Sequence, residues 1–446
     1  MGITERIDQG VWGVMVRRFI QSGGSPEGIG KRHALVAAAL VALLCVPPIV
    51  SLAGCGGSGG TSVGNSEVQA KVVSGPLPES IDRLAFKLMN QVAGEDAGKN
   101  VFLSPASLEI ALAMTMNGAG GDTLSTMSNT LELQGLSADE VNAANKDMTD
   151  WLGQLDPKVT LEIANSLWAR QGIRFSPAFL AKNKEFYRAR VESLDFDSAS
   201  ATETINAWVS EKTKGKIKKI VQPPIDPQTI LFLLNAIYFK GQWTSQFNKS
   251  STRDGDFHAS GGTKKVPMMS QTGKFKYMED GEFQAIFLPY GAGKTGMYIF
   301  LPSASTGLTD FIQSLTPENW TQWMTRFSES EGDLSMPRFK LEYEKALKDT
   351  LTAMGMGVAF TDRADFSNML VAGSPDKPYI QQVKQKTYAD VNEEGTEAAA
   401  VTSVEVGVTS MPAGNHFSMK VDRPFFFAIT DEAGKVILFE GAVVNP

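Results

Sequence analysis

Residues 390–412 read DVNEEGTEAAAVTSVEVGVTSMP. From Thr396 onward one parity carries Thr396, Ala398, Ala400, Thr402, Val404 and Val406, all small or β-branched, while the other carries Glu397, Ala399, Val401, Ser403, Glu405 and Gly407. Side chains alternate across a strand, so a sheet could bury the first set and leave both glutamates in water. The flanks point the other way, because Glu393-Glu394-Gly395 on one side and Gly407 with Pro412 on the other are turn or loop chemistry. A segment patterned for burial and flanked for exposure is expected to have two states. An ordinary strand between two loops is the plainer alternative.

Working outward, Glu393-Glu394-Gly395-Thr396-Glu397-Ala398-Ala399-Ala400 resembles the proximal hinge of the serpins, the serine-protease-inhibitor superfamily. Met419-Lys420-Val421-Asp422-Arg423-Pro424-Phe425-Phe426-Phe427-Ala428-Ile429 is similar to their C-terminal signature, as is the ending Gly441-Ala442-Val443-Val444-Asn445-Pro446. Asn235-Ala236-Ile237-Tyr238-Phe239-Lys240-Gly241-Gln242-Trp243 is a further match, and the resemblance covers residues 76–446. It implies an α+β serpin fold: helices packed around a large central mixed β-sheet plus smaller sheets, with an exposed reactive-centre loop at about 393–415.

The resemblance also implies a mechanism. A target protease attacks the loop as substrate and forms an acyl-enzyme; the cut loop then inserts into the main sheet as a new strand and distorts the protease before hydrolysis, an established instance of strand addition. Counting fourteen residues on from Gly395, as the family is counted, reaches Thr409, with Ser410 on the leaving side. The chain is then bait and spring, not an enzyme, with no catalytic residues, cofactor or metal of its own. Its partner is a protease held as a covalent acyl complex, and the inhibitor itself is a monomer. Between Thr396 and Met419 there is no Lys or Arg, so an acidic trypsin-like pocket has nothing to hold. Val406, Val408 and Thr409 suit a small apolar pocket of the elastase-like or subtilisin-like kind, and a cysteine protease stays open. A surface binding or scaffold module that keeps the fold without inhibiting is the alternative.

Residues that control sheet opening in the family fall here on Ser104, Ser107 and Asn235, with Trp243 near the top of the sheet. The position usually held by histidine is Gln385. Glutamine can donate and accept as histidine does but does not titrate near neutral pH, so no histidine-linked gating is expected there.

Composition narrows the classes independently. The chain has 446 residues, 42% hydrophobic and 20% charged, enough for a substantial core. A net charge of −7 argues against nucleic acid, and the Lys-rich run 212–219 reads as a solvated helix end. Three histidines, His33, His258 and His416, leave a hydrolase without a base beside its nucleophile. The only cysteines, Cys45 and Cys55, lie near the start, so nothing downstream is tied by a disulfide or a thiolate metal site.

Residues 1–54 read as a lipoprotein signal peptide: Lys31-Arg32, the apolar run 34–45, then Leu52-Ala53-Gly54-Cys55, which resembles the bacterial lipobox. The apolar run is shorter than the roughly 20 residues that span a bilayer. Cys55 is expected to carry the lipid, an unmodified signal-peptidase site being the alternative, and Met1 or Met15 the start. Residues 55–75 form a flexible Gly/Ser-rich tether. The expected location is therefore the outer face of a bacterial membrane or cell surface, reached through a lipid on Cys55.

Periodicity predicts helices over 80–92, 106–117, 122–133, 138–152, 177–190 and 202–220. Strands are expected over 101–105, 160–170, 229–243, 283–289, 296–301, 334–341 and 421–440, with 229–243 too apolar for a sheet edge. Gly293-Lys294-Thr295 ends like a phosphate-binding loop but lacks the earlier glycine and is read as a hairpin turn.

Overall fold

Proline and serine start the first two helices. In the computed structural model, which describes residues 75–154, 156–397, 416–432 and 436–446, α1 (Pro76–Glu95) begins with Pro at its first position. It buries Leu77, Ile81, Leu84, Leu88 and Val92 along one stripe. After β1 (Val101–Leu103), Ser104 caps α2 (Pro105–Met116) by accepting from the Ser107 amide. α3 (Gly121–Thr130) follows, and α4 (Ala138–Leu152) opens with a reciprocal Ser137–Glu140 capping box.

β2 (Val159–Arg170) leads through α5 (Pro177–Tyr187) to β3 (Arg190–Leu194). The predicted helix over 177–190 stops early because Arg188 takes φ 49, which lets Arg190 start a strand. α6 (Ala199–Lys212) likewise ends well short of 220: Lys214 and Gly215 both have positive φ, and the Thr213 hydroxyl donates to Val209 O while accepting from Ile217 N. β4 (Leu231–Gln242) closes this half.

Strands dominate the rest: β5 (Arg253–Ala259), β6 (Gly262–Glu279), β7 (Phe283–Tyr290), β8 (Thr295–Pro302), β9 (Ser328–Pro337) and β10 (Phe339–Ala346). They continue as β11 (Lys384–Asn392), β12 (Gly395–Thr396), β13 (Phe417–Lys420), β14 (Phe425–Asp431) and β15 (Val436–Val443). The sequence reading missed β3, β5, β6, β11 and β13. The strand expected over 334–341 is two strands, since the chain leaves one sheet at Pro337 and joins the other at Phe339, and that expected over 421–440 is the antiparallel pair β14–β15. Gly293-Lys294 turns the hairpin between β7 and β8, whose last pair is Tyr290 with Thr295.

Two sheets result among the described residues. One, of nine strands, runs β1-β15-β14-β8-β7-β6-β9-β13 with β5 beside β6; the other, of six, runs β10-β11-β12-β4-β2-β3. The larger is therefore not the one that holds the hinge. The six-stranded sheet is mixed, β2 and β3 being parallel and the other pairs antiparallel. An aromatic seam joins the sheets: Phe239 of β4 meets Phe439 of β15, Phe439 stacks on Phe102 of β1, and Phe339 of β10 packs on Phe427 of β14. The opposite face of β2 and β4 is covered by α6 and the chain after it, where Trp168, Ile205, Trp208, Ile217 and Ala236 form a second core.

Beneath the sheets lie carboxylic acids with little to satisfy them. Glu109 of α2 is fully buried, accepts from Asn145 Nδ2 of α4 at 3.1 Å, and is pushed up to about 7 by burial. Asp82 of α1 accepts from the Ile437 amide at 2.8 Å and is raised by burial to about 8; Glu440 of β15 is raised well above the usual range by burial and by Asp82. A proton kept by the folded chain and released by the unfolded one makes stability fall as pH rises from the unfolded value to the folded one. Glu109→Gln should therefore stabilise the chain at about pH 8, by a gain on the order of 3 kcal/mol, and leave it nearly unchanged at about pH 4. Urea unfolding of both proteins at the two pH values checks this, and an equal difference at both would remove Glu109 as the titrating group.

Candidate functional site

The segment patterned for burial has already begun to be buried. β11 ends at Asn392, the chain turns through Glu393-Glu394, and Gly395–Thr396 returns as β12 between β11 and β4, with Val391 and Gly241 flanking Thr396. Glycine is required at the turn: Gly395 has φ 149, and a Cβ there would lie 2.0 Å from the Gly241 carbonyl oxygen. Gly241 in turn leaves room for the Tyr290 ring, which a Cβ would meet at 2.7 Å.

Thr396 points into the core and is 2% exposed, its hydroxyl 2.7 Å from Tyr290 Oη. Burial pushes the Tyr290 phenol upward, so it remains a neutral hydrogen-bonding partner. The Tyr290 ring stacks on Trp243 at 4.5 Å; the Trp243 indole donates to Asn392 O at 2.9 Å and its amide to Glu394 O at 3.0 Å. Trp243 thus holds both ends of the turn that precedes the hinge.

The expectation that the hinge flank is exposed is overturned. Glu393 and Glu394 are 1% and 7% exposed. Burial alone would raise the Glu393 carboxyl, but hydrogen bonds from Arg338 Nε at 2.7 Å and from Thr252 outweigh it and hold it below the usual range. Glu394 pairs with Lys249. Nor does Glu397 face water: its side chain is 3% exposed and meets Lys216 Nζ at 2.8 Å. Each partner comes from a distant segment, which is the physical reason an alternating pattern could not show them.

Ser104, Ser107, Asn235 and Gln385, expected from the resemblance to control sheet opening, lie in one polar network under β11 and β4. Gln385 Nε2 donates to Ser104 O at 2.8 Å while its Oε1 accepts from Ser104 N at 2.9 Å. Ser104 Oγ donates to Leu438 O at 2.7 Å, and the Ser107 hydroxyl donates to Asn235 Oδ1. Asn235 Nδ2 donates to Asn165 Oδ1 at 2.7 Å, and Asn165 Nδ2 to Tyr187 O at 2.8 Å. The start of α2 therefore bridges β11, through Gln385 and Ser104, to β4, through Ser107 and Asn235. Asn165 and Tyr187 are additions no motif pointed to, nor did one point to Tyr290, Arg338 or Lys216.

Ala398, Ala399, Ala400, Thr409, Ser410 and Cys55 lie outside the described residues, as do the expected signal peptide, tether and most of the loop. His258 bonds the Thr263 hydroxyl and His416 bonds Asp333, each at 2.9 Å. Among the described residues no acidic, histidine or cysteine group of three could hold a metal, and no helix is long and apolar enough to cross a membrane.

Residues 79–446 match the family described as Serpin (serine protease inhibitor). The bovine (Bos taurus) leukocyte elastase inhibitor is 36% identical over 376 residues, covering 82% of this chain and 98% of that one. The thermophilic serpin tengpin in its native state superposes with TM-score 0.76 at 30% identity, covering 85% of this chain and 96% of its own. Human thyroxine-binding globulin complexed with thyroxine superposes with TM-score 0.74 at 29% identity, covering 83% and 100%.

Gly395→Ala should expel β12, since neither the positive φ nor the Gly241 oxygen tolerates a Cβ. Release of Glu394 from the Trp243 amide and of Asn392 from its indole should red-shift and weaken the Trp243 contribution to fluorescence, measured against a Trp243→Phe control. An unchanged spectrum would mean the strand stays seated.

Proposed function

The chain belongs to the serpin family, and we propose that it inhibits a serine protease by offering its loop as substrate and then inserting the cut loop into the six-stranded sheet. The observation that carries this reading is the position of Gly395–Thr396, already paired in antiparallel register with β11 on one side and β4 on the other. Among the described residues the only strand pairing between β11 and β4 runs through those two residues. A strand already nucleated grows by adding residues to two existing ladders. The residues next on the buried parity, Ala398 and Ala400, are small, and none from 397 to 402 is a proline.

The protease serine would attack the Thr409 carbonyl, the Ser410 amine would leave, and the acyl-enzyme would travel with the inserting strand. Backbone pairing alone does not drive this, because the hydrogen bonds gained are offset by the entropy of ordering the loop. Burial of the Thr/Ala/Val face would supply the surplus. Val406, Val408 and Thr409 favour an elastase-like or subtilisin-like pocket, and the likeness to a leukocyte elastase inhibitor supports that choice. A lipid on Cys55 would hold the inhibitor at an outer bacterial surface, where two acyl chains suffice for stable anchoring.

A binding module is the second reading, favoured by Gln385 in place of the usual histidine and by the likeness to a thyroxine-binding globulin. Mixing the full chain with an elastase-like protease separates the two. The expected result is a complex that survives a denaturing gel and a cut form that melts far above the intact one; clean cleavage with an unchanged melting temperature would give the role to the binding reading. Thr396→Arg should be cut normally yet form no complex, because a guanidinium would replace a hydroxyl in the buried site beside Tyr290. Stoichiometric inhibition by that variant would sink the insertion mechanism.

A further inference from the structure

Immediately after Thr396 the backbone leaves the extended region. Glu397 takes φ 58, a left-handed conformation disfavoured for any residue with a long side chain, while its amide still donates to Asp390 O of β11 at 2.8 Å. A residue stays in that region only where its surroundings hold it. Lys216 and Tyr238 do so here, at its carboxylate. Lys216 Nζ lies 2.8 Å from Glu397 Oε1 and 4.6 Å from the centre of the Tyr388 ring of β11, a cation–π contact. On the β4 side the Tyr238 phenol is pushed upward by burial and then by the Glu397 carboxylate it bonds.

Lys216 is itself held in place. It belongs to the turn after α6, where its amide donates to Thr213 O at 2.9 Å and Thr213 ties Val209 to Ile217. Further along, Asn206 Oδ1 accepts from the Ile220 and Val221 amides. Ile217 is packed in the second core beside Ala236 of β4. The ammonium is thus presented from the layer that covers the sheet, at the level where β12 ends.

We propose that Lys216 is a positioning residue that sets how far the hinge enters the sheet, holding Glu397 in the turn that ends β12 so that insertion halts after Thr396 until the pair is broken. For β12 to lengthen, Glu397 must pass from φ 58 to the negative φ of a strand. That rotation swings the carboxylate away from Lys216 and Tyr238, so the pair is paid up as a barrier to insertion. The proposal rests on the insertion reading above and concerns its control.

The test uses the full, uncut chain incubated at raised temperature, following its conversion to a denaturant-resistant form that no longer traps protease. Lys216→Met and Glu397→Gln should each shorten the conversion half-time, by on the order of tenfold, since each leaves the buried pair half made. The double variant should convert no faster than the faster single one, as expected for one shared contact. Lys216→Arg should restore slow conversion, which a loss of general stability would not. Half-times that are unchanged, lengthened or additive overturn the proposal. If the cut parent chain shows no gain in melting temperature, the insertion reading itself falls and Lys216 with it; if that gain is present while the variants convert like the parent, only Lys216 is overturned.

Discussion

Two residues, Gly395 and Thr396, hold apart strands that would otherwise face each other across the six-stranded sheet. That constraint governs the molecule. A gap between parallel-running neighbours leaves two rows of backbone donors and acceptors to be paired, and an exposed row of this kind draws in any strand of suitable shape. The chain places its own strand there and begins it with the one residue type, glycine, that fits against the Gly241 carbonyl. Trp243, Tyr290 and Thr396 then fix its depth through stacking and a hydroxyl contact, without any charge entering the core.

Charge is instead arranged around the hinge. Glu393, Glu394 and Glu397 are each buried against a cation delivered by a different element: Arg338 from the crossing between sheets, Lys249 from the segment before β5, and Lys216 from the layer over β4. Buried pairs are weak sources of stability, because desolvation offsets most of the attraction, but breaking one exposes an uncompensated charge. Such pairs define position more than they add free energy. The acids Glu109, Asp82 and Glu440 act in the opposite sense, since the carboxyl of each is pushed upward by burial and makes the folded chain less stable as pH rises.

The polar chain beneath the gap explains how one helix start can serve two strands. Ser104 and Ser107 are neighbours on the first turn of α2, where amides and hydroxyls are not yet committed to the helix. Gln385 exchanges a donor and an acceptor with Ser104, while Ser107 reaches Asn235. Gln385 makes this two-way bond with a group that does not titrate near neutral pH, while Glu109, two residues beyond Ser107, is pushed up to about 7 by burial.

Much of this was legible in the chain itself. The alternation after Gly395, the Ser104-Pro105 helix start, the apolar run before Trp243 and the resemblance of the hinge and terminus to serpins carried the fold class and pointed to Ser104, Ser107, Asn235 and Gln385, which form the polar chain under β11 and β4. Those signals are local, written in periodicity, capping and turn chemistry, and they survive without tertiary context. Helix ends at Arg188 and Thr213 and the break at Arg338 were not legible, because a left-handed residue or a change of sheet leaves little mark on hydrophobic spacing. Least legible of all was the burial of Glu393, Glu394 and Glu397. A carboxylate beside turn residues reads as solvated, and only the folded chain decides otherwise, by bringing Arg338, Lys249 and Lys216 from separate segments to within bonding distance and so supplying the compensation that burial of a charge demands.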